Sequence, residues 1–145
     1  MAQRAGGGMS DVATPRVDEL LPVEERITQK KIDLYAELSG DFNPLHVDPE
    51  VASRSEFGGT IAHGPLQLQA CFRAVCSWIG ADAFPPGSSM SVVYRHPARP
   101  GDRVRFDVDS DAGDRGDGRV DGQCCNQDGA LLAAVSITLP KAAAK

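Results

Sequence analysis

The segment from Gly64 to Gly80, GPLQLQACFRAVCSWIG, constrains the fold more than any other part of the sequence. It is apolar almost all round, and Arg73 is its only charged residue. A helix on a protein surface keeps a polar face, so this pattern predicts a helix that is buried on nearly all sides. A chain of 145 residues, 41% of them hydrophobic, can build one core around such a helix.

The residues that follow this segment have the pattern of antiparallel strands. The stretch RVRFDVDSDA alternates, with Val104, Phe106 and Val108 on one face and charged side chains on the other. Further strands are predicted at SSMSVVYRH, RVDGQCCNQ and ALLAAVSITLP, with turns at PARPGD and NQDG. A buried helix followed by hairpins predicts an α+β fold, in which a curved antiparallel sheet wraps around the helix.

The N-terminal part of the chain predicts a tail and then two helices. Residues 1–15 are rich in glycine, alanine and polar side chains, and we expect them to be a disordered tail before one domain at 16–145. Thr28 is a plausible N-cap for the helix QKKIDLYAELSG, which Gly40 can end. Asp48 followed by proline predicts the start of a second, short helix.

Composition and charge exclude several classes of function. The formal net charge of −5 argues against a nucleic-acid-binding protein, which would carry a basic stripe. No apolar run reaches the roughly 20 residues that span a bilayer, and the first residues lack the apolar core of a secretory signal. We therefore expect a cytoplasmic protein that binds neither nucleic acid nor a membrane.

The four cysteines predict core packing rather than metal binding or disulfide bonds. Cys71 and Cys76 lie in the apolar helical segment, and Cys124 and Cys125 are adjacent in a predicted strand. No C-x-x-C pair occurs, so the sequence predicts no zinc site, and we expect no bound metal. Small buried thiols in a reducing compartment account for all four residues.

The stretch GDFNPLHVDPE places Asp41, Asn43 and His46 around a proline, directly after the first helix. Because Pro44 lies between the acid and the imidazole, we expect a non-helical turn that points both side chains at one spot. General acid–base catalysis needs such a carboxylate and imidazole within reach of one water or substrate proton. The alternative is that Asp41 caps the turn and His46 is an ordinary, hydrogen-bonded polar residue.

A second candidate site begins the buried helix, at His63 and Gly64. The first N–H groups of a helix have no partner within it, and the helix dipole favours negative charge there. A glycine lets a ligand approach the backbone, so Gly64 is a candidate oxyanion donor to a carbonyl. The alternative is that Gly64 only permits close packing of helix on sheet. Together the two motifs suit proton chemistry next to a carbonyl, such as adding water to an α,β-unsaturated thioester.

The stretch YAELSGDFNPLHVDPEVA, residues 35–52, resembles the signature of the MaoC-like, or (R)-specific enoyl-CoA hydratase (hydratase 2), family. The shared elements are an aromatic residue, then Leu-Ser-Gly-Asp-x-Asn-Pro-Leu-His, then a small residue. FGGTIAHGPL, YRHPARPGD and NQDG resemble later landmarks of the family in the same order. The resemblance implies a hotdog fold, an antiparallel sheet wrapped around one long helix, and a homodimer.

The resemblance also implies roles for the site residues. Asp41 and His46 would be the catalytic pair, and the Gly64 amide would be the oxyanion donor to the thioester carbonyl. Asn43 would brace the loop at the substrate site, and His63 would support that site or be structural. The implied reaction is reversible addition of water to a trans-2-enoyl thioester, which gives an (R)-3-hydroxyacyl thioester.

The substrate of such an enzyme carries its acyl group on CoA or on the phosphopantetheine arm of an acyl-carrier protein, and no further cofactor is expected. The cluster YRHPARPGDR contains Arg95 and Arg99, which are candidates for binding the phosphates of that arm. The alternative is that these arginines are ordinary solvated surface residues.

Three other functions stay open at the level of sequence. The enzyme is a dehydratase that acts on a carrier-protein-bound intermediate, or the chain is a hotdog thioesterase, or it is a non-catalytic partner subunit of a heteromeric hydratase. The intact Asp-x-Asn-Pro-Leu-His loop is unexpected in a thioesterase, and a non-catalytic subunit would have lost the acid or the imidazole.

Overall fold

The computed structural model of the chain describes residues 20–109 and 118–140. The predicted disordered tail at 1–15 lies outside the described residues, as does most of the polar loop GDRGDG.

The first helix of the described chain begins and ends where the sequence predicts, and a short strand precedes it. Strand β1 spans Val23–Arg26 and helix α1 spans Gln29–Ser39. The Thr28 hydroxyl accepts a hydrogen bond from the Lys31 N–H at 3.1 Å, which satisfies one of the free donors of the first turn. Gly40 ends the helix with a φ of 80°, a left-handed conformation that favours glycine. Both predicted helix ends are therefore confirmed.

Two short helices follow, α2 at Pro44–Val47 and α3 at Pro49–Ser53. The prediction of a non-helical turn around Pro44 is wrong, because the proline begins a helical turn instead of interrupting one. Its fixed φ and missing N–H suit the first helical position, and the Asn43 side chain accepts the Leu45 N–H at 3.0 Å. Asp48 caps α3 in the same way, as the sequence predicts.

The long apolar segment forms a short 3₁₀ turn at Pro65–Leu68 and then helix α4 at Gln69–Ile79. Helix α4 packs against strands β1 and β3 of a five-stranded antiparallel sheet. The strand order in the sheet is β1-β3-β4-β5-β2. The remaining strands are β2 at Ser89–Tyr94, β3 at Arg103–Val108, β4 at Arg119–Cys125 and β5 at Leu131–Thr138.

The core lies between one face of α4 and the sheet. Val104 and Phe106 of β3 are buried, and the charged side chains between them are exposed, as the alternation predicts. On α4, however, only one face is buried, with Ala70, Cys71, Ala74 and Val75. The prediction of a helix buried on nearly all sides is therefore wrong for the single chain, because one sheet covers one face and leaves Phe72 partly exposed.

The cysteines occupy the core or its margin, as predicted. Cys71 and Cys124 are buried, Cys76 and Cys125 are half-buried, and all four are free thiols. Burial raises the pKa of Cys71 strongly and that of Cys124 to about 12, so both thiols stay protonated near neutral pH. Among the described residues no helix combines the length and the apolarity needed to cross a membrane.

Candidate active site

Asp41 lies between the end of α1 and the start of α2, and its two carboxylate oxygens have different surroundings. The Asn43 N–H donates to Oδ1 at 3.2 Å, and the Asp41 N–H donates to the Ser39 hydroxyl at 3.2 Å. These local bonds fix the carboxylate and leave Oδ2 directed at His46. The carboxylate is half-exposed, so water and a ligand can reach it.

His46 lies on α2 and is held by the segment that leads to α4. Its Nδ1 is 2.8 Å from the Ile61 carbonyl oxygen. A carbonyl oxygen only accepts hydrogen bonds, so Nδ1 carries the hydrogen and the neutral ring has its lone pair on Nε2. That Nε2 lies 3.7 Å from Asp41 Oδ2, too far for a direct hydrogen bond. Asp41 Oδ2 and His46 Nε2 are thus two hydrogen-bond acceptors side by side. One water molecule could donate a hydrogen bond to each of them.

His63 is the buried member of the cluster and touches both other residues. Its ring stacks on that of His46, with centroids 3.8 Å apart and planes inclined by 24°. Its Nε2 is 2.9 Å from the Asp41 backbone carbonyl, so Nε2–H donates to that oxygen. The ring of Tyr35, on α1, packs against the His63 ring at a tilt, with centroids 4.8 Å apart. His63 therefore sets the relative position of the acid and the imidazole.

Gly64 follows His63 and precedes the 3₁₀ turn at the start of α4. No hydrogen bond from its N–H occurs within the part of the chain that the structure describes. Its φ of −50° is ordinary for any residue, so the backbone conformation does not require glycine. Close packing does, because a Cβ here would lie 2.9 Å from Cζ of Tyr94.

One family of known proteins matches the part of the chain that contains all of these site residues. The MaoC like domain matches residues 13–127 of the chain. The chain belongs to the MaoC-like domain family. Relatives and structural neighbours of this MaoC-like domain carry the names of hydratases and dehydratases.

Two curated relatives illustrate the similarity. The 3-hydroxyacyl-thioester dehydratase Z of Mycobacterium tuberculosis is 50% identical over 42 residues, which are 29% of this chain and 28% of that protein. The mitochondrial 3-hydroxyacyl-[acyl-carrier-protein] dehydratase of Arabidopsis thaliana is 34% identical over 92 residues, 61% of this chain and 52% of that protein. The MaoC-like domain thus aligns with about half or less of the length of these relatives.

Solved structures confirm the predicted fold. An (R)-hydratase from A. caviae involved in PHA biosynthesis has a TM-score of 0.65 and 25% identity, and the match covers 83% of this chain and 93% of that one. An R-hydratase from Pseudomonas aeruginosa gives a TM-score of 0.63 at 25% identity, with 88% and 86% covered. The MaoC-like domain therefore has the hotdog fold.

The two arginines predicted to bind phosphates lie in the segment between β2 and β3. Arg95 is exposed just after β2, and its N–H donates to the Leu132 carbonyl at 2.8 Å. Arg99 is exposed in the loop between β2 and β3. It lies near Gly59: if that glycine carried a Cβ atom, Arg99 Nη1 would be 3.9 Å from it. The Ala62 N–H donates to the Ala98 carbonyl at 2.8 Å, so this loop borders the segment that carries His63 and Gly64.

A metal ion is the other ligand that this cluster of side chains suggests. Asp41, His46 and His63 each offer a ligand atom, and these atoms lie within 4.8 Å of one another. The two stacked imidazoles are nearly parallel, so their lone pairs do not converge on a common point. His63 Nε2 donates to the Asp41 carbonyl, so the lone pair of this ring is on the buried Nδ1, which has no hydrogen-bond partner among the described residues.

Gln29 is a site residue that the sequence did not reveal. Its Nε2 donates to the His46 carbonyl at 2.8 Å, and its Oε1 accepts from the Thr60 hydroxyl at 2.7 Å. This side chain thus joins α1, α2 and the segment before His63. A glutamine in the first turn of a helix is common, and only the folded chain shows what it reaches.

Replacing Gln29 with alanine tests this connection. Loss of both hydrogen bonds leaves the Thr60 hydroxyl and the His46 carbonyl without this partner, so we expect the free energy of unfolding to fall by about 1–3 kcal/mol. Amide hydrogen exchange should also become faster in α2. Chemical denaturation measures the first effect, with the exposed neighbour Lys30→Ala as control. Equal stabilities of the two variants would contradict the role given to Gln29.

Proposed function

We propose that this domain catalyses the reversible addition of water to a trans-2-enoyl thioester, which gives an (R)-3-hydroxyacyl thioester. The observation that carries the proposal is the pair of acceptors, Asp41 Oδ2 and His46 Nε2, 3.7 Å apart. Gly64, with its unbonded N–H, directly follows His63 in the chain, and the His63 ring stacks on His46. An acid–base pair beside an oxyanion donor suits addition next to a carbonyl.

The proposed attacking water lies to one side of the two acceptors, within hydrogen-bond reach of both. One of its hydrogens is accepted by His46 Nε2 and the other by Asp41 Oδ2, which leaves an oxygen lone pair for C3 of the substrate. As the C3–O bond forms, the pair takes up the water proton. The electrons of the C2–C3 double bond move toward the thioester carbonyl.

The negative charge that develops on the carbonyl oxygen meets the Gly64 N–H, next to the start of α4. This donor is fixed by the backbone, so it needs no reorganisation when the charge develops. The proton is then returned to C2 and the carbonyl is restored. The reverse sequence removes water from a 3-hydroxyacyl thioester, and the names of the M. tuberculosis and A. thaliana relatives describe that direction.

The variant Asp41→Asn tests the catalytic assignment. An amide keeps an oxygen to accept the Asn43 N–H, so the fold should remain, but it cannot take up a proton. We expect kcat for crotonyl-CoA to fall by roughly 100-fold or more, measured as loss of the enoyl-thioester absorbance. The exposed Asp128→Asn in the β4–β5 turn is the matched control and should keep the wild-type rate. Wild-type turnover in Asp41→Asn would refute the role of Asp41.

The acyl carrier is proposed to be CoA or a phosphopantetheine arm, with no further cofactor. Arg95 and Arg99 support this part of the proposal, because both are exposed and Arg99 borders the segment before Gly64. Asn43 and His63 contact no carrier in this proposal; they hold Asp41 in place.

Neutralising both arginines, as Arg95→Ala and Arg99→Ala, tests whether they bind the phosphates of the carrier. Exposed charge pairs contribute little each, so we expect KM for crotonyl-CoA to rise about 2- to 10-fold while kcat stays unchanged. KM for crotonyl-pantetheine, which lacks the nucleotide phosphates, should not change. Arg54→Ala removes an arginine that pairs with Glu50 at 3.1 Å and serves as control. An unchanged KM for crotonyl-CoA would assign the arginines to the solvated surface.

The other candidate functions receive less support from the site. A non-catalytic partner subunit would not need both Asp41 and His46 at this separation. A thioesterase would use a similar carbonyl site, but the Asp-x-Asn-Pro-Leu-His loop is not expected in one. Release of free CoA from an acyl-CoA, without hydration, would favour the thioesterase.

A homodimer in solution also belongs to the proposal. Strand β2 pairs with β5 on one side, and its other edge has no strand partner within the described residues. Val93 on this strand is 46% exposed, and Phe72 lies on the open face of α4. A second copy would cover such an edge and bury apolar surface.

The predicted cytoplasmic location stays a prediction.

Sedimentation velocity at micromolar concentration tests the dimer, and we expect a single species of twice the chain mass. The variant Val93→Arg places a charge on the open strand edge and should shift the species toward the monomer. Arg54→Ala, on α3, should leave it unchanged. A monomeric wild type would exclude the homodimer.

A further inference from the structure

Tyr94, the last residue of β2, approaches the candidate oxyanion donor. Side chains alternate along a strand, so Tyr94 shares its face with Val92 and Met90, which pack against the core. Its ring therefore lies on the side of the sheet that α4 covers. The ring reaches the start of that helical segment, where Gly64 lies.

The contact between Tyr94 and Gly64 is close enough to require a glycine. A Cβ on Gly64 would lie 2.9 Å from the ring carbon Cζ and 3.0 Å from the hydroxyl oxygen Oη. Because the φ of Gly64 is ordinary, the missing side chain serves this approach and not a special backbone conformation.

This approach limits how far the hydroxyl lies from the Gly64 N–H. The Cβ position of any residue lies roughly 2.5 Å from its backbone nitrogen in standard geometry. With Oη 3.0 Å from that position, the distance from Oη to the nitrogen is at most about 5.5 Å. One oxygen atom can accept hydrogen bonds of about 2.7–2.9 Å from both groups at such a separation.

The hydroxyl is also free to donate. No hydrogen bond of Oη occurs among the described residues, and the side chain is half-exposed. Partial burial, followed by the neighbouring Tyr35 and Cys124, raises the pKa of Tyr94 above its usual value. The phenol therefore keeps its proton across the neutral range and remains a donor.

We propose that the Tyr94 hydroxyl is a second donor to the substrate carbonyl oxygen, opposite the Gly64 N–H. The assignment rests on the proposed function and makes Tyr94 a catalytic residue, because its hydroxyl touches the oxygen on which charge develops. The phenol donates a hydrogen bond and keeps its proton throughout, so no bond to Tyr94 forms or breaks. Two donors at one oxygen stabilise the enolate more than the neutral thioester.

A packing role alone predicts a different outcome in mutants. If the ring only filled the space over Gly64, removal of the hydroxyl would change nothing, because the ring would remain. The variant Tyr94→Phe isolates the hydroxyl for that reason. The chain contains two tyrosines, and Tyr35→Phe is the matched control, since it removes a hydroxyl and keeps the ring against His63.

We expect Tyr94→Phe to lower kcat for crotonyl-CoA by roughly 100- to 1000-fold, the size of effect seen when one oxyanion donor is lost. KM should change little, because the hydrogen bond strengthens as charge develops. Tyr35→Phe should stay within about twofold of the wild type, because the ring that packs against His63 remains. A wild-type rate in Tyr94→Phe, or equal losses in both variants, would overturn the assignment.

A spectroscopic readout separates this assignment from the proposed reaction. The absorbance of 2,4-hexadienoyl-CoA moves to longer wavelength when its carbonyl is polarised, and the Asp41→Asn background blocks turnover. We expect a shift in Asp41→Asn that is retained with Tyr35→Phe and reduced with Tyr94→Phe. An equal shift in all three proteins, or no shift in any, would overturn the role of Tyr94. Failure of the wild type to hydrate crotonyl-CoA would instead count against the proposed function.

Discussion

The candidate site depends on one buried imidazole, that of His63. Its Nε2–H holds the backbone carbonyl of Asp41 at 2.9 Å, and its ring stacks on His46 at 3.8 Å. Both residues of the proposed acid–base pair thus contact the same ring, which is 2% exposed. The buried ring therefore fixes the backbone at Asp41 and the plane of the His46 imidazole.

The second constraint is the junction between the sheet and the start of α4. Gly64 is placed by its neighbour His63 and by the hydrogen bond between Ala62 and the β2–β3 loop. The end of β2 then brings Tyr94 over the glycine. The sheet therefore supplies one wall of the site and the helical segment supplies the other. A single replacement at Gly64 would disturb the backbone donor and the tyrosine together.

The single chain has two open surfaces, one on α4 and one along the edge of β2. Helix α4 covers the sheet with one face only, and strand β2 has an open edge, so the single chain leaves apolar side chains such as Phe72 and Val93 partly exposed. On the open face of α4, Phe72 lies beside Arg73 and Ser77. Apolar side chains that a single chain leaves exposed are typical of an interface between subunits.

The sequence alone determined the elements and the motif. Local signals act over a few residues, which is why Thr28 and Gly40 marked the ends of α1 and why the alternation in β3 predicted its buried face. The resemblance of residues 35–52 pointed to Asp41 and His46. Only the tertiary structure decided that Gln29 reaches the His46 carbonyl and that Tyr94 lies over Gly64. These contacts join residues 17 and 30 positions apart, and no local pattern encodes which distant side chain fills a given space.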